Sequence, residues 1–311
     1  MTSPTPQHLE PEVWRAREAA HEARADALTA GWRERKQRGE SHAIEDFLFT
    51  YYPTRPARLR RWHPGVGVTL TLPDDVGTDL PERAAWRWYR LDGGGLSVDV
   101  AAFLADREDT VRYVRDLLAR TAARPANVGC FGLHEWAMVY RERGTRHALP
   151  LRLGPEGTDA VVDSHPVRCS HFDAFRFFTP EAVGLNKLQP TRASQPELEQ
   201  PGCLHANMDL LKWAEKLGPV VPGELLLDCF ALARDVRTLD MQASPYDVSA
   251  YDLPPVAIET PAGKAEYSER QRGFAERAGE LRERLVAACD AALGSTTLPS
   301  HRPTSAERTP S

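Results

Sequence analysis

Helical periodicity dominates much of the chain. Between residues 9 and 38, apolar side chains return every three or four positions among charged ones, and Gly39 follows them. This spacing predicts a long amphipathic helix that ends at the glycine. A final helix is expected between Pro261, at its start, and Gly294, at its end. The same spacing predicts helices at 42–52, at 98–123 (two helices), at 130–142, at 203–217, at 223–242 and at about 262–293.

Alternation of apolar and polar residues predicts the strands. The stretch VGVTLTL, 66–72, places an apolar residue at every second position, which is typical of a half-buried strand. Residues 86–91 are its expected partner, and 149–153 and 167–178 are also expected to be strands. The pattern as a whole predicts a helix-rich α+β fold, in which a small sheet packs with long helices.

The ends of the chain lack apolar periodicity. Residues 1–7 and the Ser-, Thr- and Pro-rich residues 294–311 are therefore expected to be disordered. Between them, residues 8–293 are expected to form a single domain.

Composition narrows the class of protein. The 311 residues are 41% hydrophobic and 27% charged, which is ordinary for a globular protein. The chain has no apolar run of about 20 residues and no signal peptide pattern, so a cytoplasmic location without membrane association is expected. Five cysteines without a CxxC pair argue against a disulfide framework and a structural zinc site. A net charge of −5 excludes a uniformly positive surface but permits a local basic groove.

The segment 167–178 carries the strongest candidate chemistry. Read as a strand, it places Cys169, His171 and Asp173 on one face, followed by Phe175. An imidazole and a carboxylate on one face can share a proton or a metal ion. Desolvation by the neighbouring phenylalanines would raise the pKa of Asp173 and suit it to general-base catalysis. The alternative is a polar strand face packed beneath a loop, with both groups bound to the backbone.

Two helical segments add further candidates. The stretch HEWAMVYR, 134–141, lacks the second histidine of a zinc protease motif. Its residues His134, Glu135 and Trp136 are either functional residues or part of the core. In the helix 203–217, His205 and Asp209 are four residues apart and share a face. That pair could bind a metal ion together with residues of 167–178, or it could be an ordinary surface arrangement.

Arginine is far more abundant than lysine in this chain, since 34 of the 39 basic residues are Arg. Near residue 237, Arg237 stands close to Asp235 and Asp240, which indicates either an ion-pair network or recognition of an anion. In the segment 51–62, basic side chains alternate with aromatic rings, as in a groove that binds nucleic acid. Its candidate residues are Arg55, Arg58, Arg60, Arg61 and Trp62. Arginine-rich composition alone is the alternative explanation.

Five segments carry a resemblance to a known family. They are EDFLFTYYPTRPARLRRWHPG, GCFGLHEWAMVYR, RCSHFDAFRFFTP, QPGCLHANMDLLKWAEKL and LDMQASPYD. Over about residues 12–293 the chain resembles a family of actinobacterial proteins labelled 3-methyladenine DNA glycosylase. The resemblance implies excision of an alkylated purine from damaged duplex DNA. The segments contain no helix-hairpin-helix motif of the main glycosylase superfamily, so no catalytic residue is carried over.

Three hypotheses follow. The first is a DNA N-glycosylase without a cofactor or an obligate protein partner. Its expected catalytic residues are Asp173, His171 and Glu135, and its expected substrate-binding residues are His134, Trp136, Cys169, Phe175, His205 and Asp209. The second is a metal-assisted hydrolase or oxygenase for a small molecule, with a divalent cation at His171, Asp173 and His205. The third is a nucleic-acid-binding protein without catalytic activity.

Overall fold

The computed structural model describes residues 7–73, 80–93, 95–142 and 149–294. Of the ends expected to be disordered, 1–7 and 294–311, residues 1–6 and 295–311 lie outside the described residues, whereas Gln7 belongs to a strand and Gly294 to the last helix. The helices are α1 (Pro11–Arg38), α2 (Phe47–Thr50), α3 (Pro56–Leu59), α4 (Val100–Ala122), α5 (Leu133–Ala137), α6 (Gly154–Asp163), α7 (Phe172–Phe175), α8 (Pro180–Val183), α9 (Gln195–Leu198), α10 (Leu204–Met208), α11 (Leu210–Leu217), α12 (Gly223–Gln242) and α13 (Pro261–Gly294). The strands are β1 (Gln7–Leu9), β2 (Val68–Thr71), β3 (Tyr89–Asp92) and β4 (Gly95–Val98). The predicted helix-rich α+β fold is confirmed.

The long helices have the boundaries that local chemistry favours. Pro11 opens α1, and Gly39 closes it in the left-handed conformation with φ of 69°, a region that costs glycine little. Helix α13 begins at Pro261 and runs to Gly294, as predicted. The expected break within 98–123 is wrong, because α4 is one continuous helix. Asp99 caps it by accepting a hydrogen bond from the amide of Ala102.

The small sheet has the strand order β1-β2-β4-β3. Strand β2 pairs in parallel with β1 and antiparallel with β4, so the predicted partnership of 66–72 with 86–91 is wrong. Strand β3 instead pairs with β4 on the far side. Leu70 and Leu96 face each other across the central pair, and with Trp14 and Trp62 they form a small core of their own.

The main core lies among the helices. Helix α13 packs along α4 and α12, and α12 also contacts α10 and α11. The buried face of α12 runs from Leu225 to Met241. This arrangement places α5, α10 and the carboxyl half of α12 close together inside the protein. Among the described residues, no helix is both long and apolar enough to span a membrane.

The middle of the chain differs most from expectation. Residues 149–153 form no strand beyond an isolated bridge between Leu151 and Tyr246, and 154–163 form helix α6. The segment 167–178 is not a strand either, because the chain turns into the short helix α7 directly after His171. The helix expected over 130–142 is limited to α5, which follows Gly132 at φ of 68°.

Candidate functional site

Three buried histidines from distant parts of the chain stack in the core. His134 of α5 contacts His205 of α10 edge to face, with 4.5 Å between the ring centroids. His205 in turn stacks on His171, which precedes α7, at 5.3 Å. Their exposed fractions are 6%, 8% and 1%. The structure thus brings together the three segments that the sequence marked separately.

Buried ion pairs hold the His134 end of this stack. Nε2 of His134 is 2.9 Å from Oδ1 of Asp240 on α12. One turn earlier on α12, Arg237 donates from Nη1 to Oδ2 of Asp240 at 2.7 Å and to Oε1 of Glu135 at 3.0 Å. Burial and the charge of Asp240 raise the pKa of Glu135. Arg237 is 1% exposed, so the ion-pair interpretation is confirmed, and recognition of an anion from solvent is excluded for this residue.

A second polar group holds the His171 end. Nε2 of His171 lies 3.3 Å from Oδ2 of Asp209 and 3.4 Å from Oε1 of Glu199. Tyr52 donates its hydroxyl to Oδ1 of Asp209 at 2.7 Å. Burial alone would lower the pKa of His171, but the hydrogen bond and charge of Asp209 outweigh it and raise that pKa.

Lys212 connects this group to Asp173. Its Nζ donates to Oδ2 of Asp209 at 3.1 Å and to Oδ2 of Asp173 at 2.8 Å. Burial would raise the pKa of Asp173, but Lys212 outweighs burial and lowers it. The expected rise in the pKa of Asp173 is therefore wrong, because its nearest neighbour is a cation rather than a phenyl ring. Nε of Arg176 and Nη2 of Arg192 also lie 3.3 Å from Oδ1 of Asp173.

Asp173 and Lys212 line a surface cleft of about 710 Å³, a volume within the usual range of ligand pockets of roughly 300–1,000 Å³. Eight basic side chains line the cleft against two carboxylates, although the whole chain carries a net charge of −5. The basic residues are Arg58, Arg61, Arg87, Arg107, Arg176, Arg192, Lys212 and Lys216, and the acidic ones are Asp173 and Glu215. Aromatic lining comes from Tyr51, Tyr52, Trp86 and Trp88. The cleft can therefore attract anions and offer flat rings at the same place.

The predicted basic segment contributes only in part to this cleft. Arg58 and Arg61 line it, whereas Arg60 forms ion pairs with Glu22 and Asp26 of α1. Arg55 is exposed but lies outside the cleft lining.

Trp62 is buried rather than open to a ligand. It is 1% exposed, and the guanidinium groups of Arg17 and Arg83 lie over its ring. Its Nε1 donates to Oε1 of Glu224. The expected stacking of Trp62 on a base is therefore wrong, because the ring is enclosed by protein.

Other predicted binding residues also belong to the core. Trp136 is 0% exposed and donates from Nε1 to the carbonyl of Ala243. Phe175 packs edge to face against Phe178. Burial raises the pKa of the Cys169 thiol to about 12, so it is a neutral thiol. Of the expected face formed by Cys169, His171 and Asp173, only Asp173 reaches the cleft lining.

The histidines and carboxylates form two groups with the spacing of metal ligands. His134, Glu135, His205 and Asp240 form one, and His171, Glu199 and Asp209 form the other. Within each group the ligating atoms all lie within 4.8 Å of one another. The expected set of His171, Asp173 and His205 is not assembled among the described residues, since the two histidines fall into different groups and Asp173 into neither.

Several residues of the site were missed by sequence reasoning. Glu199 lies outside every motif singled out in the sequence, and Tyr52 is one of the aromatic residues within the basic segment 51–62, with no carboxylate expected beside it. Lys212 had a usable signal, because it follows Asp209 by three residues on one helical face. Arg176 follows Asp173 by three residues, but a strand was expected there, and in a strand that spacing puts the two side chains on opposite faces. Arg192 had no local signal, because it lies 19 residues from Asp173. Comparisons with known protein families, with curated proteins and with solved structures find no match to this chain.

Proposed function

We propose that the cleft binds nucleic acid and that the protein is a DNA N-glycosylase that removes an alkylated purine. The observation that carries this proposal is the combination, in one cleft of an acidic protein, of eight basic side chains, four aromatic rings and the buried carboxylate of Asp173. The resemblance of the sequence to the 3-methyladenine DNA glycosylase family agrees with it.

The cleft has the parts that binding requires. Arginine and lysine side chains neutralise phosphates and release counterions, and that release provides most of the affinity for a nucleic acid backbone. Asp173 is contacted by three cations, so the positive charge of Lys212, Arg176 and Arg192 exceeds what one carboxylate neutralises. Trp86 and Trp88 are half-buried in the lining, with Arg61 and Arg87 lying over their rings, so an unstacked base would stack there by displacing these exposed side chains.

The chemistry assigned to Asp173 follows from its charge. Breaking the bond between C1′ and a purine nitrogen moves the bonding electrons to the base and leaves an oxocarbenium ion. A 3-alkylated adenine is already cationic, so it departs as a neutral base without a proton donor. The low pKa of Asp173 keeps the carboxylate ionised beside the forming cation, and water adds to C1′ as its proton passes to Asp173.

Lys212 positions the carboxylate in this proposal. Burial would lower the pKa of Lys212, but Asp209 and Asp173 outweigh burial and raise it, so the amine stays protonated. A protonated amine cannot attack C1′. We therefore assign Lys212 the role of holding Asp173 through the 2.8 Å hydrogen bond.

The test is release of free base from a duplex that contains one 3-methyladenine, under single-turnover conditions, beside an undamaged duplex of the same sequence. The proposal predicts time-dependent release from the damaged duplex only. Binding of both duplexes without release would instead favour the nucleic-acid-binding hypothesis, and absence of binding would overturn the assignment of the cleft.

A further inference from the structure

We infer that the group of His134, Glu135, His205 and Asp240 is a binding site for one divalent first-row transition metal ion. This site lies inside the helical core, is separate from the cleft and does not depend on the glycosylase proposal. Its four ligating atoms lie within 4.8 Å of one another. Two imidazoles with two carboxylates form the donor set that zinc, iron(II) and manganese(II) accept in proteins.

His205 is the observation that separates this group from an ordinary ion-pair network. This residue is 8% exposed, and its ring nitrogens form no hydrogen bond with any residue that the structure describes. Neither ring nitrogen is therefore committed to a protein partner in the described part of the chain, which leaves a nitrogen lone pair available to a metal ion. A metal ion at the adjacent ligating atoms supplies the missing partner.

The distances within the group agree with metal coordination. The 2.9 Å between Nε2 of His134 and Oδ1 of Asp240 suits a hydrogen bond. A tetrahedral zinc ion with bonds of about 2.0–2.1 Å holds its ligand atoms about 3.3–3.4 Å apart, so these two atoms need to separate by only about 0.5 Å to bind one ion. Arg237 engages Oε1 of Glu135 and Oδ2 of Asp240, which leaves the other oxygen of each carboxylate for other partners.

The charge of the surrounding core favours a cation. Four buried carboxylates, Glu135, Glu199, Asp209 and Asp240, line the two ends of the histidine stack. Lys212 and His171 contact the carboxylates at the His171 end. At the His134 end, Arg237 is the one arginine or lysine among the described residues that pairs with the two carboxylates Glu135 and Asp240. Unneutralised negative charge in a protein interior is costly, so a divalent ion at this place would stabilise the fold.

The experiment measures metal in the full-length protein, produced without a polyhistidine tag, by mass spectrometry. We expect about one equivalent of zinc, iron or manganese per chain, and we expect EDTA-treated protein to bind added Zn²⁺ and to gain thermal stability from it. His205→Gln removes a ligand and, because the imidazole has no hydrogen bond to lose, should still fold. It should bind Zn²⁺ at least about 10- to 100-fold more weakly.

Asp173→Asn is the matched control, because Asp173 lies near the histidine stack but outside the metal-ligating group. Its metal content and Zn²⁺ affinity should equal those of the wild type. Circular dichroism and thermal unfolding of metal-free His205→Gln establish that it is folded. Should the wild-type protein contain no metal and bind no Zn²⁺, or should His205→Gln bind Zn²⁺ as tightly as the wild type, the proposed site is overturned.

Discussion

Replacing Arg58 and Arg61 together by glutamine should weaken the binding of duplex DNA and reduce its dependence on salt. Both residues line the cleft, and neither forms an ion pair with a residue in the described part of the chain. Arg61 lies over the ring of Trp86, with 5.3 Å between its guanidinium carbon and the ring centroid. The proposed function requires that such uncommitted cations contact phosphates.

The magnitude follows from counterion release. Each phosphate contact contributes about 0.9 to the slope of log affinity against log salt, so the loss of two contacts lowers the slope by about 1.8. Over a fourfold range of salt, from about 50 to 200 mM, each contact changes the affinity by about 3.5-fold. Raising the salt concentration across that range weakens the binding of both proteins. The factor by which it does so should be about 12-fold smaller for the double variant than for the wild type.

Fluorescence anisotropy with a labelled duplex, repeated at five salt concentrations, measures this slope. Arg60→Gln is the matched control, since Arg60 is two residues from Arg58 but is paired with Glu22 and Asp26. Its slope should equal that of the wild type. A double variant with an unchanged slope, or an Arg60 variant with an equally reduced one, would refute the assignment of the cleft to nucleic acid.

Three further predictions concern the core and the carboxylate of the cleft. Trp62→Ala should lower the free energy of unfolding by about 3–5 kcal/mol in urea titrations, because it leaves a cavity in the core. A variant with unchanged stability, but with a changed dependence of DNA binding on salt, would contradict the burial of Trp62. Arg237→Met should cost about 3–5 kcal/mol in the same assay, because Glu135 and Asp240 lose their buried cation; an unchanged midpoint would contradict the ion pairs. The pKa of Asp173 is lower in the folded protein than its value of about 3.9 in the unfolded chain. Its ion pair with Lys212 therefore stabilises the fold fully above that value, and this stabilisation is lost only as the pH falls through the lower pKa of the folded state. The single-turnover rate should therefore show no loss from protonation of Asp173 between about pH 8 and 5, and a midpoint near pH 6 that disappears in Asp173→Asn would contradict this reasoning.

Local patterns were sufficient for the ends of the long helices α1 and α13. The spacing of apolar residues, together with Gly39 after α1 and Pro261 at the start of α13, marks their ends through interactions within a few residues. The same local rules failed at 167–178, where alternation indicated a strand. Its polar groups are satisfied by distant residues, because Asn186 accepts from the amide of Cys169 and Asp209 contacts His171, and these contacts hold the chain in a turn instead.

The candidate site shows the same division between local and distant information. Asp173, His171 and His205 could be chosen as reactive residue types in uncommon positions, and their segments do converge. The direction of the pKa shift of Asp173 could not be predicted, because it depends on Lys212, which is 39 residues further along the chain. The cleft itself collects residues from 51 to 226, so no single segment indicates it.

Asp173→Asn offers the most direct test of the central claim, that this carboxylate acts chemically in the nucleic-acid cleft. The substitution preserves shape and removes the charge, and Asp116→Asn, which alters an exposed carboxylate paired with Arg120, serves as the control. The measurement is the single-turnover rate of base release from the 3-methyladenine duplex, alongside the affinity for that duplex. The account predicts nearly unchanged affinity and a rate reduced by about 10²–10⁴-fold for Asp173→Asn alone. Release at the wild-type rate by Asp173→Asn would contradict it.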